Sequence, residues 1–308
     1  MMPVLAQVHN FFSMKTPQQS FPKLARALAV PDLYLKREDL HKYGSHKGRS
    51  IPLMVKTYAK DGWKEFVISS SGNAALAAVL SVEQHNKNNP NQRINLRICI
   101  GKNIDAQKLQ TLTKTADKAG SAVRIEQTER PKQTAFLLDK KGEAKYLRQS
   151  TDDLALEGYR DLAQEVLKIP GLAAVFIPTS SGTTAQALGE AFLSAGSAAQ
   201  IHIVQTTACH AMAKKYDADF TPASSSRAGA IVDGIAHRKS RVWDVIEKTR
   251  GNGWVVNDEQ ILRAQALLKE HAGIHATANG ALAVAGIEKA VKHEASWDGP
   301  VVALICGA

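Results

Sequence analysis

Short apolar runs alternate along this chain with longer stretches in which apolar residues recur every three or four positions. Residues 65–69 (EFVIS), 94–100 (INLRICI), 122–125, 173–178 (AAVFIP), 201–205 and 301–305 (VVALI) are short, apolar and bounded by turn formers. They read as strands. Residues 73–88, 106–119, 153–167, 183–193, 258–271 and 280–293 carry the helical period. Residues 258–271 show the logic. Asn257 or Asp258 caps the start, and Asp258 and Glu259 suit the positive end of the helix dipole. Ile261, Ala264 and Leu268 share one face, and Gly273 stops the helix. Strand–helix alternation predicts right-handed βαβ units and a largely parallel sheet. In such sheets ligands bind beyond the carboxyl ends of strands, so the strand-to-helix joints are where chemistry is expected.

The composition fits a globular protein. Of 308 residues, 44% are hydrophobic, 22% charged and 6% aromatic, which excludes a disordered or fibrous chain. The length holds one large domain or two modest ones, with no internal repeat or low-complexity linker. No apolar run approaches the ~20 residues that span a bilayer. The N-terminal MMPVLAQVHNFFSMKTPQQ lacks a basic segment followed by an apolar one, so no secretory signal is expected. Cys99, Cys209 and Cys306 make no disulfide framework and no CxxC zinc pair, which points to a reducing cytoplasm. A net charge of +10 raises nucleic acid as a partner. The charge is dispersed, however, and clusters such as Lys140-Lys141 and His237-Arg238-Lys239 are brief. A solvated basic surface, or a site for small anions, fits better.

Three joints and the C-terminal strand carry candidate chemistry. Ser69-Ser70-Ser71-Gly72-Asn73 opens an Ala-rich helix directly after a strand. It reads either as an anion cradle of N–H groups and hydroxyls or as a capped tight turn. Pro178-Thr179-Ser180-Ser181-Gly182-Thr183-Thr184 repeats that architecture without GxGxxG or GK[ST], and suits a phosphate monoester. Lys47 sits in a third joint, after a Gly/Ser turn and before the apolar pattern Ile51, Leu53, Met54 and Val55. An amine at the mouth of a buried element has its pKa lowered, as a Schiff-base lysine requires. Cys306 ends the strand 301–305, either as a buried structural thiol or as a neutral hydrogen-bond partner for a ligand.

In this order, the segments resemble the fold type II family of pyridoxal-phosphate enzymes. The family includes serine/threonine dehydratases, threonine synthase, cysteine synthase and the tryptophan synthase β chain. LYLKREDLHKYGSHKGR is similar to the segment around the cofactor lysine, SSSGNAA to the substrate-carboxylate loop and PTSSGTTAQAL to the phosphate turn. STDDLALEGYRDLAQEV, IVDGIAHR and AGIHATANGALAVAGI resemble further segments, and the likeness runs from about Thr16 onward. Two departures stand out. The phosphate turn has only Gly182 where relatives are richer in glycine, and Ala276-Thr277 replaces a common glutamate–proline pair.

The resemblance implies an α/β fold of two three-layer α/β/α domains with mostly parallel sheets. Residues 1–51 and 150–308 would form the large cofactor-binding domain. Residues 52–149 would form a small mobile domain carrying the carboxylate loop. The implied cofactor is pyridoxal 5'-phosphate, with no metal. It would be held covalently by Lys47, at its phenolic oxygen by Asn73, and at its phosphate by Ser180, Ser181, Gly182, Thr183 and Thr184. Cys306 would face its pyridine nitrogen. The carboxylate of an amino-acid substrate would rest on Ser70, Ser71, Gly72 and Asn73. Lys47 would move the Cα proton, and Ser71 would either carry a second proton or only bind carboxylate. His41, His46 and His237 read as structural or surface groups, and Glu38 and Asp39 as ion-pair or capping carboxylates.

A neutral thiol at the pyridine nitrogen favours β-elimination or replacement over racemisation or transamination. The implied activity is a dehydratase-like lyase acting on a hydroxy or β-substituted amino acid, in a homodimer without nucleic-acid or membrane partners. A β- or γ-replacement synthase is the alternative, and a non-catalytic basic binding protein on the same fold is the reading from another class.

Overall fold

The computed structural model describes residues 15–104 and 106–307. Residues 1–14, most of the N-terminal stretch read above for a signal and the first part of the 1–51 portion, lie outside the described residues. Ten strands are described: β1 (Gln18–Ser20), β2 (Leu33–Arg37), β3 (Glu65–Ile68), β4 (Asn95–Gly101), β5 (Val123–Thr128), β6 (Lys145–Tyr146), β7 (Ala174–Pro178), β8 (Gln200–Thr206), β9 (Asn252–Val256) and β10 (Val301–Ile305). They form one sheet of order β1-β2-β10-β7-β8-β9 and a second of order β5-β4-β3-β6. Every pairing is parallel except β1 with β2. The expected α/β class with mostly parallel sheets is observed.

Strand periodicity sorts the core into layers. In the larger sheet Ala174, Phe176, Val301, Ala303 and Ile305 face the helices Asp258–Ala272 and Ala278–Lys292. Val175, Ile177, Val302, Leu304 and Cys306 face the helix Thr183–Ser194 and its neighbours. The smaller sheet packs the helices Ile51–Lys60, Asn73–Asn88 and Ala106–Lys118 on one face. Pro131–Lys140 covers the other face, over Val67 and Cys99. Both sheets are therefore sandwiched between helices, as parallel sheets require.

Local sequence accounts for most boundaries. Asn257 caps its helix in a full capping box with Gln260, and Gly273 ends it in a left-handed conformation at φ 67°. Asp258, the other candidate cap, instead accepts from Ser226 Oγ (2.8 Å) and Arg227 N (2.9 Å). The helix expected over 153–167 is two pieces, Leu154–Glu157 and Arg160–Val166. The break falls at Gly158, where an added Cβ would lie 2.4 Å from Ser50 Cα and 2.5 Å from Arg49 O. Glycine there lets two backbone segments pass in contact. Strands β2 and β9 and the helices Pro131–Lys140 and Lys239–Lys248 were not among the expected elements. In β2 the fully buried Lys36 breaks the apolar pattern, and β9 opens on Asn-Gly, a turn signal. Among the described residues no helix is long and apolar enough to cross a membrane.

Candidate active site

The carboxyl ends of β3, β7 and β10 open on one cavity of about 600 Å³. Lys47, Ser70, Ser71, Gly72, Asn73, Ser180, Ser181, Gly182, Thr183, Thr184 and Cys306 all line it. The structure thus brings every sequence-derived site residue to one place. His46, Asn279, Lys108, Lys132 and the segment Gly229–Val232 also line it, and the sequence reading did not assign them there. Asn279 had a local signal, lying just inside the start of an Ala-rich helix. The two lysines had none.

The Lys47 turn is held by the end of β10. Ser45 caps the short helix His46–Arg49, its Oγ accepting from Lys47 N at 3.3 Å. His46 N donates to Cys306 O at 3.3 Å, and His46 Nδ1 lies 3.0 Å from the same carbonyl. Burial pushes His46 down to about 3, so its ring is neutral and Nδ1–H is the donor. These contacts put the amine-bearing turn beside the Cys306 thiol. Cys306 is buried, and burial pushes its thiol far above the usual range. It is a neutral group at any physiological pH. His41 is likewise buried, pushed down to about 4 by burial, and stacks on Tyr43. His237 is exposed, 2.7 Å from Arg148 Nη2.

Two helices start at the cavity without side-chain caps. At Asn73–Asn88 the N-cap is Gly72, and no side chain closes the turn. Ser70 Oγ accepts from Gly72 N at 3.3 Å, while the Ser71 hydroxyl and Asn73 amide make no hydrogen bond to the described residues. At Thr183–Ser194 the N-cap is Gly182, at φ 86°, again with no side-chain cap. The first-turn N–H groups of both helices are available to an anion. Around the second turn the hydroxyls are partly committed. Ser180 Oγ accepts from Val232 N (3.1 Å) and Asp233 N (3.2 Å), tying down the far wall. Thr183 Oγ1 donates to Gln149 O at 3.2 Å and lies 2.9 Å from Ser181 Oγ. The guanidinium of Arg238 donates to the same Gln149 carbonyl and to Asp152 O. Gln149 Nε2 in turn donates to Ser50 Oγ. The turn is therefore fastened to residues 149–153 and, through them, to the start of the helix Ile51–Lys60.

Gly182 admits no substitute. Its φ is positive, and an added Cβ would sit 2.8 Å from Val242 Cγ2 and 3.3 Å from Met212 Sδ. Gly182→Ala is expected to cost about 1–3 kcal/mol of stability. It should also weaken binding of phosphate-bearing ligands by at least about tenfold, because the N–H groups around it lose their aim. Urea denaturation and a ligand titration of the variant check both effects.

A helix start without a side-chain cap, an amine and a neutral buried thiol on one cavity fit a pyridoxal-phosphate cofactor. Such a cofactor would need N–H groups for its phosphate, an amine for its aldehyde and a partner for its pyridine nitrogen, and the lining offers each kind of group. A family model described as "Pyridoxal-phosphate dependent enzyme" matches residues 11–307. The chain belongs to the pyridoxal-phosphate dependent enzymes. Its cofactor is pyridoxal 5'-phosphate.

Similarity within and around the family is broad. The human L-serine dehydratase/L-threonine deaminase is 38% identical over 71 residues, which is 23% of this chain and 21% of the human protein. The matched stretch is thus far shorter than that relative. Among solved structures, the processed threonine deaminase isoform 2 of Solanum lycopersicum superposes with a TM-score of 0.78 at 20% identity, covering 96% of this chain and 79% of that one. The serine racemase of Dictyostelium discoideum superposes at 0.77 with 16% identity, covering 96% and 92%. At these identities the structures speak to the fold.

Proposed function

We propose that this enzyme is a lyase that removes the β-substituent of a hydroxy or β-substituted α-amino acid, in the manner of a serine/threonine dehydratase. The observation that carries the reading is the grouping, on one cavity, of an amine, two uncapped helix starts and a neutral thiol. The bound cofactor supplies an electron sink for the charge that develops at Cα. The chain does the rest. Lys47 holds the cofactor, and its Nζ takes the Cα proton once substrate has bound. The N–H groups and hydroxyls of Ser70 to Asn73 hold the substrate carboxylate and so fix which Cα bond faces the amine. Ser181 to Thr184 hold the phosphate, with the helix dipole behind them. Asn73 serves the phenolic oxygen. Ser71, whose hydroxyl makes no hydrogen bond to the described residues, passes a proton to the departing group in this reading.

Cys306 sets the outcome. A carboxylate would hold the pyridine nitrogen protonated and draw charge fully into the ring, whereas a neutral thiol does not. Charge left near Cα expels a β-substituent instead of awaiting reprotonation. We further propose that residues 52–149 move as a unit and close the cavity over substrate, keeping water away from Cα. The crossings of that unit lie at the Ser50–Gln149 contact.

The test is spectroscopic and chemical together. Purified protein should show an absorption band near ~410–420 nm that shifts on adding one class of amino acid. A 2-oxo acid and ammonia should then accumulate. Release of the D-isomer without oxo acid would assign a racemase instead, and turnover only with an added nucleophile would assign a replacement enzyme. Failure to bind pyridoxal 5'-phosphate would sink the catalytic reading altogether.

A further inference from the structure

We infer that Lys108 and Lys132 make the side-chain end of this cavity a reader of negative charge, selecting an α-amino acid whose side chain carries a phosphate or carboxylate. The inference rests on the reading of the cavity given above. The charged residues among the cavity's lining are Lys47, Lys108 and Lys132; among the described residues the lining holds no Asp or Glu. Lys47 is committed to the cofactor. The phosphate and the substrate carboxylate are served by the uncapped turns at Gly182 and Gly72. Neither anion calls for two further ammonium groups.

The two lysines come from separate elements that converge on the same space. Lys108 lies in the first turn of Ala106–Lys118, the helix after β4, and Lys132 in the first turn of Pro131–Lys140, the helix after β5. Each side chain therefore adds its charge to the positive end of a helix. Lys108 Nζ lies 3.4 Å from Gly229 O, another lining residue, and both lysines are exposed. Asp233 follows the lining residue Val232 in the chain. Its carboxylate accepts from Ala236 N at 3.2 Å and caps its own turn. A phosphate or carboxylate entering from the side chain of a substrate gains charge-assisted hydrogen bonds from both lysines. A hydroxyl or methyl side chain gains neither. A cleft lined by one sign of charge also concentrates such substrates before they bind.

The experiment titrates the holoenzyme, following its cofactor absorption, with O-phospho-L-serine, O-phospho-L-homoserine and L-aspartate. The comparison set is L-serine, L-threonine and O-acetyl-L-serine. The anionic set should bind at least about tenfold tighter at low salt, and the margin should shrink as salt is raised. Lys108→Ala and Lys132→Ala should each cut the anionic-to-neutral preference by about threefold to tenfold. Lys132→Arg should retain it. Lys118→Ala, at the far end of the helix that carries Lys108, should leave the preference where it was. A margin confined to the phosphate esters assigns phosphate as the group read, and one shared by aspartate assigns carboxylate. Equal affinity for both sets, or lysine variants that weaken both sets alike, would overturn the inference while leaving the lyase reading intact. A protein without cofactor absorption fails the earlier reading first, so the two failures are separable.

Discussion

Lys47→Ala is expected to abolish the cofactor's absorption band and to lower turnover of the best amino acid by about 10³-fold or more, because in the proposed mechanism one amine both holds the cofactor and moves the proton. The fold should survive. Lys47 is only half-buried, and its side chain serves no packing layer. Its backbone N–H, which bonds Ser45 Oγ, is retained in alanine. Thermal melts of the two apo-proteins should therefore coincide. Lys47→Arg is expected to be as inactive, since a guanidinium stays protonated near pH 7 and cannot act as the nucleophile. The neighbours support the proposed role of this lysine. His46 is held neutral by burial and anchored to the Cys306 carbonyl, which fixes the turn against the sheet. Lys108 and Lys132 line the same cavity. Retention of the band in Lys47→Ala would move the covalent role to one of those two and would also void the charge-reading inference.

How far the sequence alone reaches can be judged residue by residue. The joints at Ser69–Asn73 and Pro178–Thr184 were legible as candidates, since a strand followed by small hydroxyl residues and glycine reads either as an anion cradle or as a capped turn. Order along the chain then linked them with Lys47 and Cys306. That the four segments meet was not legible locally, since it depends on β10 inserting between β2 and β7. The commitments of individual hydroxyls were also hidden. Ser180 looks like a phosphate ligand, yet its oxygen already accepts two N–H groups from residues more than fifty positions away. Thr183 spends its proton on Gln149 O. Lys108 and Lys132 sit on polar helices whose exposed faces are unremarkable in composition, so only tertiary placement distinguishes them from solvated lysines. The buried charges are the strongest case. In LYLKREDL, Glu38 reads as an ion-pair or capping carboxylate and Lys36 has no assigned role, and the structure buries both.

Those charges set the largest stability effect expected of a single substitution. Lys36, Glu38, Arg49 and Glu165 are 1%, 0%, 7% and 8% exposed. Arg49 donates to both oxygens of Glu38 (2.7 and 2.9 Å) and to both of Glu165 (2.8 and 3.0 Å). Lys36 Nζ donates to Glu165 and to Thr16 O, the latter at 2.9 Å. Burial alone would raise the Glu165 carboxyl. The hydrogen bonds from Arg49 and Lys36 overcome it and hold the group below its usual value. Lys36 goes the other way for an ammonium: burial lowers it, and Arg49 repels it while competing for the same carboxylate. Arg49 is thus the partner on which both acids depend.

Arg49→Met should cost about 3–5 kcal/mol in denaturation experiments, because it strands two buried carboxylates against one lysine. The same cluster gives the wild type a pH dependence. A carboxyl held below its unfolded value contributes stability that is fully present above that value and fades as pH falls through the folded one, so the loss belongs to the acid range. In Arg49→Met that contribution is reduced, and the variant's stability should fall less steeply on acidification than the wild type's. Replacing all four charges together by apolar residues of similar volume is expected to cost less than Arg49→Met alone, since no charge is then left without its partner. The order of those two losses is the decisive comparison. If the single variant were the more stable, the cluster would be a set of independent pairs and not one network bracing the turn that carries Lys47.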